Sequence, residues 1–202
     1  MQVREVVFVG EGQVEIRTSE KPLDPGPQEI ALRTLYSFVS TGTERAKLTG
    51  LQKIAYPWVA GNRAVAEVIG TGSEVRDVKI GDRVLVHTPH VSHVVTDAFR
   101  AVVPEGVPLP QAAASALALV ALTALRVSPP QLGDTVAVVG LGPVGMIAAQ
   151  LYQAAGVVVV GVDRDPGRLA LAKELGISHQ VKAGEGDVVA AIEQSRALGL
   201  EG

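Results

Sequence analysis

Cysteine is absent from the 202 residues, which removes disulfides, thiol nucleophiles and thiolate metal ligands from the chemistry open to this chain. Aromatic residues are scarce, with one Trp, three Tyr and three Phe, so few platforms exist on which nucleic-acid bases could stack. A net charge of −3 supplies no basic footprint for a phosphate backbone, and no nucleic-acid partner is expected. No apolar run reads as long enough to span a bilayer, and Arg4-Glu5 interrupts the charged-then-apolar order of a secretory signal. A cytoplasmic location without membrane contact is the expectation. What is plentiful is apolar content, 47%, together with 22 glycines, enough to bury a substantial core and to turn the backbone sharply.

The apolar residues change their period along the chain. Up to about residue 105, short β-rich runs such as 3–9, 14–17, 30–38 and 64–69 are separated by Gly, Pro and Asp. In the 30–38 run Ile30, Leu32, Tyr36 and Phe38 fall on even positions, which predicts one face of a strand turned to a core. After Pro110 an alanine- and leucine-rich stretch continues to Val127 without internal Gly or Pro, the pattern of a helix connecting two domains. The breakers from Ser128 to Asp134 then introduce alternating strand and helix patterns. These predict strand 134–140, helix 143–155, strand 157–162, helix 166–175, a short strand at 179–182 and a helix from about 185 to 198. The fold class is therefore a β domain over 1–127, including the connecting helix, followed over 128–202 by part of a doubly wound α/β domain.

The α/β segment opens with Val136-Ala137-Val138-Val139-Gly140-Leu141-Gly142-Pro143-Val144-Gly145, an apolar strand entering G-x-G-x-x-G. The chemistry fits a dinucleotide. Gly140 permits the tight turn, Gly142 lets backbone approach a pyrophosphate, and Gly145 allows close helix-strand packing. The N-terminus of the following helix offers free N–H groups, with Pro143 suited to its first turn. The next strand ends at Asp163, close to the roughly 20-residue spacing at which a carboxylate accepts hydrogen bonds from the ribose hydroxyls. Asp163 favours NAD by repelling a 2′-phosphate, whereas Arg164 beside it is of the kind that accommodates this phosphate in NADP. NAD is expected, with NADP as the alternative. Asp165-Pro166 reads as the N-cap and first residue of the next helix.

The order of these parts resembles the medium-chain dehydrogenase/reductase superfamily, in which a GroES-like β-barrel catalytic domain precedes a Rossmann domain. The resemblance covers nearly the whole chain. It rests on Gly42-Thr43-Glu44, Gly61-Asn62-Arg63 before Ala64-Val65-Ala66, Gly81-Asp82-Arg83-Val84, Thr123-Ala124 and the glycine loop with Asp163. Ser40-Thr41-Gly42-Thr43-Glu44 is similar to the Ser-x-Gly-Thr-Glu motif of a subgroup that includes bacteriochlorophyllide dehydrogenase-like proteins. In zinc-using members the metal ligands fall where this chain has Thr41, Asn62 and Leu119, none of which suits zinc. The four-cysteine loop of many relatives is missing too. The resemblance thus implies a zinc-lacking member, with no metal site.

His87-Thr88-Pro89-His90-Val91-Ser92-His93 is the remaining metal-like cluster. In extended chain His90 faces opposite His87 and His93, so solvated or hydrogen-bonded histidines are read here, with a converging metal set as the alternative. His93 keeps a place among the catalytic candidates, because a Ser-His pair before a strand is common in zinc-lacking relatives.

The same resemblance gives Thr43 as the hydroxyl that relays a substrate proton and Thr123 as the residue packed on the nicotinamide. Arg63 stands where relatives carry a glutamate near the metal. Its guanidinium suits oxyanion stabilisation, while a salt bridge with Glu44 is the plainer reading. The activity implied is hydride transfer to or from an alcohol, carbonyl or enone, a small-molecule substrate, without zinc. The alternative is a non-catalytic or remnant dinucleotide-binding protein, because the three strands found supply only the adenosine half of a full dinucleotide fold. On this topology strand 134–140 forms a sheet edge, so self-association or a covering partner is expected.

Overall fold

Ile30 and Leu32, both fully buried, anchor β3 (Ile30–Ser37) in the core of the first of two units, Met1–Ala114. Residues 1–184 and 188–199 are described by a computed structural model. In the first unit β3 joins β5 (Ala64–Thr71), β6 (Arg83–Val86), β7 (His93–Thr96) and β8 (Arg100–Val102) in a sheet ordered β7-β3-β5-β6-β8. Every neighbouring pair in it is antiparallel. Period-two alternation sends Ala64, Ala66 and Val68 of β5 and Val84 and Val86 of β6 to the same core as Ile30 and Leu32. On the other face Val65 packs with Ala112 and Ala113. A smaller sheet, β2-β1-β4, is formed by β1 (Gln2–Gly10), β2 (Gln13–Glu20) and β4 (Trp58–Val59). Its hairpin turns at Gly12, whose φ of +69° is open to glycine at little cost.

Strand positions agree with the sequence expectation, but the face expected for 30–38 does not persist. Tyr36 is exposed, because the ladder with β5 shifts register between Thr34 and Tyr36. A bulge there inverts the alternation that holds for Ile30 and Leu32. Gly42-Thr43-Glu44 lies in a helix, α1 (Thr41–Leu48), beyond the strand.

Helix α2 (Leu109–Val127) confirms the long apolar helix, and the division between units falls inside it, at Ala114/Ser115 rather than after Val127. Its first turns bury Ala112 and Ala113 in the first unit, while Leu125 packs against the core of the second. By length and composition α2 qualifies as a span, which corrects the reading that no apolar run here reaches that length. Leucine and alanine favour helix whatever covers them, and the packing at both its ends is what a connecting helix requires.

The second unit, Ser115–Gly202, alternates β9 (Thr135–Val139), α3 (Pro143–Ala154), β10 (Val158–Asp163), α4 (Pro166–Glu174), β11 (His179–Lys182) and α5 (Val188–Gly199). Its sheet is parallel, in the order β11-β10-β9. The central strand β10 buries Val159 against Met146, Ala149 and Tyr152, which recur on one face of α3, and buries Val160 and Val162 toward Ala191 and Ile192 of α5. Helices thus cover both faces, as a parallel sheet demands. Strand β9 is an edge among the described residues, with Val139 exposed. The start expected for the last helix, near residue 185, lies outside the described residues.

Candidate functional site

The glycine loop leaves β9 through Gly140, at a φ of +95°, and its N–H donates to Val162 O at 2.7 Å. A Cβ on Gly145 would sit 1.8 Å from Gly140 O, so α3 reaches this close to the turn only because residue 145 is glycine. A Cβ on Gly142 would meet nothing within 4 Å, which leaves the space above it open to a ligand. Pro143 is the first residue of α3, after Gly142 at the cap. No side chain caps this helix, so the N–H groups of its first turn, at Val144 and Gly145, present a partial positive charge without a side-chain acceptor. All five loop residues singled out in the sequence share one turn.

Asp163 closes the other side of the loop. It ends β10 and is buried, and its carboxylate accepts from Asp165 N at 2.9 Å, from Leu141 N at 2.6 Å and from Arg168 Nη1 at 3.5 Å. The Asp165 amide, then the Leu141 amide and the Arg168 guanidinium, hold this carboxyl below the ordinary carboxylate range, against the opposing effect of burial. Arg164 is exposed. Asp165 caps α4 by accepting from Gly167 N at 2.8 Å, with Pro166 in the first turn. Arg168, which the sequence reading did not single out, sits beside the acid because that cap fixes the first turn of α4. The signal available was Asp165-Pro166 itself, which places Arg168 within one turn of the helix start.

Catalytic candidates in the first unit are placed less compactly. Thr43 is exposed on α1. His93 lies in β7 opposite Arg33, with Nδ1 3.2 Å from Ser92 Oγ, and its pKa is lowered by burial and by the charges of Arg33 and Arg4. Arg63 donates from Nη1 to Asn62 O at 2.9 Å. The salt bridge read between Arg63 and Glu44 is not formed. Glu44 turns instead to His90, Oε2 to Nε2 at 2.9 Å, while its Oε1 accepts from Ser40 N at 2.7 Å. Thr123, in the second unit, spends its hydroxyl on Leu119 O at 2.9 Å, a bond within its own helix.

The Glu44–His90 pair is the feature the sequence reading missed. It is buried on both sides, with 6% and 7% exposure, and it forms where three segments cross. Val6 N donates to His90 O at 3.0 Å, His90 N to Ala60 O at 2.6 Å, and Ala60 N to Val6 O at 2.9 Å. Gly61, at a φ of +97°, permits the crossing, since a Cβ there would lie 2.5 Å from His90 N. The opposition of His90 to His87 and His93 was legible: His90 is buried, His87 exposed and His93 half-buried. Only its partner was not.

Beside this pair, a cavity of about 510 Å³ separates β1 from α1. Thr41, Glu44, Arg45 and Leu48 line it at the spacing of one helix face, opposite Val6 and Phe8 at alternate positions of the strand. Ser37, Val39 and His90 complete the wall.

Zinc does not fit the positions where the resemblance would seek it. Thr41 offers a hydroxyl, Asn62 an amide and Leu119 an exposed aliphatic chain, whereas zinc takes thiolate, imidazole or carboxylate. Glu44, the nearby carboxylate, has both oxygens engaged. Among the described residues no group of three His, Asp or Glu is placed to hold a metal ion.

Residues 143–199 match the family described as zinc-binding dehydrogenase. The chain is similar to D-guloside 3-dehydrogenase of Escherichia coli (strain K12), 36% identical over 121 residues that cover 57% of this chain and 35% of the relative. Among solved structures it resembles quinone oxidoreductase of Pseudomonas syringae pv. tomato DC3000, with a TM-score of 0.81 and 26% identity over 93% of this chain and 61% of that one. A putative zinc-binding dehydrogenase from Sinorhizobium meliloti 1021 bound to NADP shares the fold, with a TM-score of 0.81 and 24% identity over 94% of this chain and 64% of that one. The chain thus spans less than two thirds of the length of each of these three. With a β unit, a parallel α/β unit and the glycine loop in this order, the family match and these relatives support a likeness to the medium-chain dehydrogenase/reductase superfamily.

Proposed function

We propose that this chain serves a nicotinamide-dependent oxidoreductase that moves hydride to or from an alcohol, carbonyl or enone without a catalytic zinc, as in the zinc-lacking subgroup its Ser-x-Gly-Thr-Glu motif resembles. The observation that carries this reading is the loop at Gly140–Gly145, where one glycine makes the turn, one is excluded from bearing a side chain, and one leaves open space at an uncapped helix start. Such a start suits a pyrophosphate. When bound, the nicotinamide supplies the hydride chemistry.

The chain's own residues bind and orient. Val144 and Gly145 N–H groups face the phosphates, Asp163 takes the ribose hydroxyls, and Arg164 would receive a 2′-phosphate if NADP were used. NAD is the proposed cofactor because Asp163 is held ionised beside the ribose position. Thr43, Arg63 and His93 are the proposed polar groups for the substrate oxygen, and Thr123 the residue against the nicotinamide ring. The exposed edge of β9 is proposed to be covered by self-association or by a partner.

A binding protein without catalysis is the second reading, supported by the absence of zinc-type donors at Thr41, Asn62 and Leu119. Calorimetric titration with NADH, NADPH and AMP, paired with NADH oxidation in the presence of 2-cyclohexen-1-one, tests both. Tight NADH binding with turnover supports the oxidoreductase. Binding of NADH no tighter than AMP, without turnover, supports the second reading, and no binding at all overturns both.

A further inference from the structure

We infer that the cavity between α1 and β1 binds a single-chain amphiphile carrying one negative charge, of the class of a medium-chain carboxylate, with its head at Arg45 and its hydrocarbon along Val6, Phe8, Val39 and Leu48. None of Thr43, Arg63 and His93 lines this space, so the occupant is read from the walls and not from hydride chemistry. A helix packed on a strand normally fills the gap between them. Here the gap holds about 510 Å³, a volume typical of small-molecule sites.

The walls form an apolar trough with one charge at its rim. Gly12 N donates to Leu48 O at 2.7 Å and Val6 N to His90 O at 3.0 Å, so Phe8 lies toward the Leu48 end and Val6 toward the Glu44 end. Thr41 and Leu48 bound the helix side of the cavity, about 10 Å apart along its axis, which accommodates an extended octyl chain. Most charges nearby are already engaged. Glu44 gives both oxygens to Ser40 N and His90 Nε2, and Lys47 Nζ lies 4.1 Å from the centre of the Trp58 ring. Arg45 is the exception. Its guanidinium is exposed and makes no ion pair or hydrogen bond among the described residues, and the hydroxyls of Ser37 and Thr41 share its wall. A carboxylate suits a guanidinium, which can grip it with two N–H groups. An ammonium head would meet Arg45 with like charge, and a second negative charge would lie near the Glu44 carboxylate.

The test follows valine and leucine methyl resonances of the full 202-residue chain during titration with sodium octanoate, 1-octanol or octylammonium chloride. Saturable shifts at Val6, Val39 and Leu48 are expected, with octanoate about fivefold tighter than octanol, the upper range for an exposed ion pair, and octylammonium weakest. Arg45→Gln should bring octanoate down to the affinity of octanol and leave octanol unchanged. Val39→Trp, at an exposed position of the wall, should abolish the shifts of all three; Leu48→Phe fills the same space should Val39→Trp fail to fold. Octanol or octylammonium binding as tightly as octanoate, an octanoate preference that survives Arg45→Gln, shifts scattered outside the cavity, or no saturable shift would each overturn the proposal.

Discussion

Glu44 Oε2 and His90 Nε2 meet at 2.9 Å with both side chains buried, joining the start of α1 to the segment that crosses β1. Neither residue reaches the other through local sequence. The bond exists because Gly61 lets the chain at Ala60 and Gly61 lie against the backbone of residue 90. Removing the carboxylate strands the imidazole and the Ser40 N–H together. Glu44→Ala is expected to cost about 2–5 kcal/mol, and Glu44→Gln less, since an amide can still hydrogen bond. Denaturant unfolding followed by the fluorescence of Trp58, the single tryptophan, measures this in the first unit.

Gly142 and Gly145 are expected to respond oppositely to the same substitution. A Cβ at 145 overlaps the Gly140 carbonyl oxygen at 1.8 Å, so Gly145→Ala must displace backbone and should destabilise by about 1–3 kcal/mol or more. Gly142→Ala meets no protein atom within 4 Å. Its melting temperature should stay near that of the parent while NADH affinity drops, because the methyl group enters the space offered to the pyrophosphate. Thermal denaturation and calorimetry separate the two outcomes.

Asp163 braces the loop as well as facing the proposed ribose. Its folded pKa is depressed, so the stability it contributes is present above its ordinary value of 3.8 and is lost as pH falls through the folded value. Asp163→Asn should reduce stability at neutral pH by about 1–3 kcal/mol and flatten the acid limb of a stability-pH curve. NADH affinity should fall in the same variant.

Arg164 is exposed and Arg168 is tied to Asp163, so the first is the cation free for a 2′-phosphate. Arg164→Ala should weaken NADPH about tenfold, the equivalent of one charge-assisted hydrogen bond, and leave NADH unchanged. Equal loss for both cofactors, or no loss for either, would remove Arg164 from the 2′-phosphate role.

His93 is held below its ordinary pKa of 6.5 by burial, with Arg33 and Arg4 adding repulsion. The unfolded chain therefore takes up this proton first as pH falls. Stability should decline as pH drops below 6.5 toward the folded value and level off beyond it. His93→Gln should remove that part of the slope, measured by chemical unfolding between pH 7.5 and 5.

The second unit was legible in detail because its signals are local. Gly140 is defined by a turn between two neighbouring elements, and the capping by Asp165 is settled within three residues. The first unit was legible as strands but not as a site. Tyr36 was read inward from alternation alone, and a bulge paired through residues of another strand turned it out. The salt bridge of Arg63 with Glu44, the plainer of its two readings, does not form, because the fold brings His90 to Glu44 instead.

Composition and local pattern by themselves determined the absence of thiol chemistry, the division into a β unit and an α/β unit, the connecting helix and the glycine loop. Periodicity, caps and breakers act over a few residues, and those interactions suffice for them. Tertiary structure alone decided the partner of Glu44, the exposure of Tyr36, the bracing of Leu141 by Asp163 and the cavity beneath α1. Each of these depends on which distant segments pack together, and a pair 46 residues apart is chosen by the closure of the whole sheet.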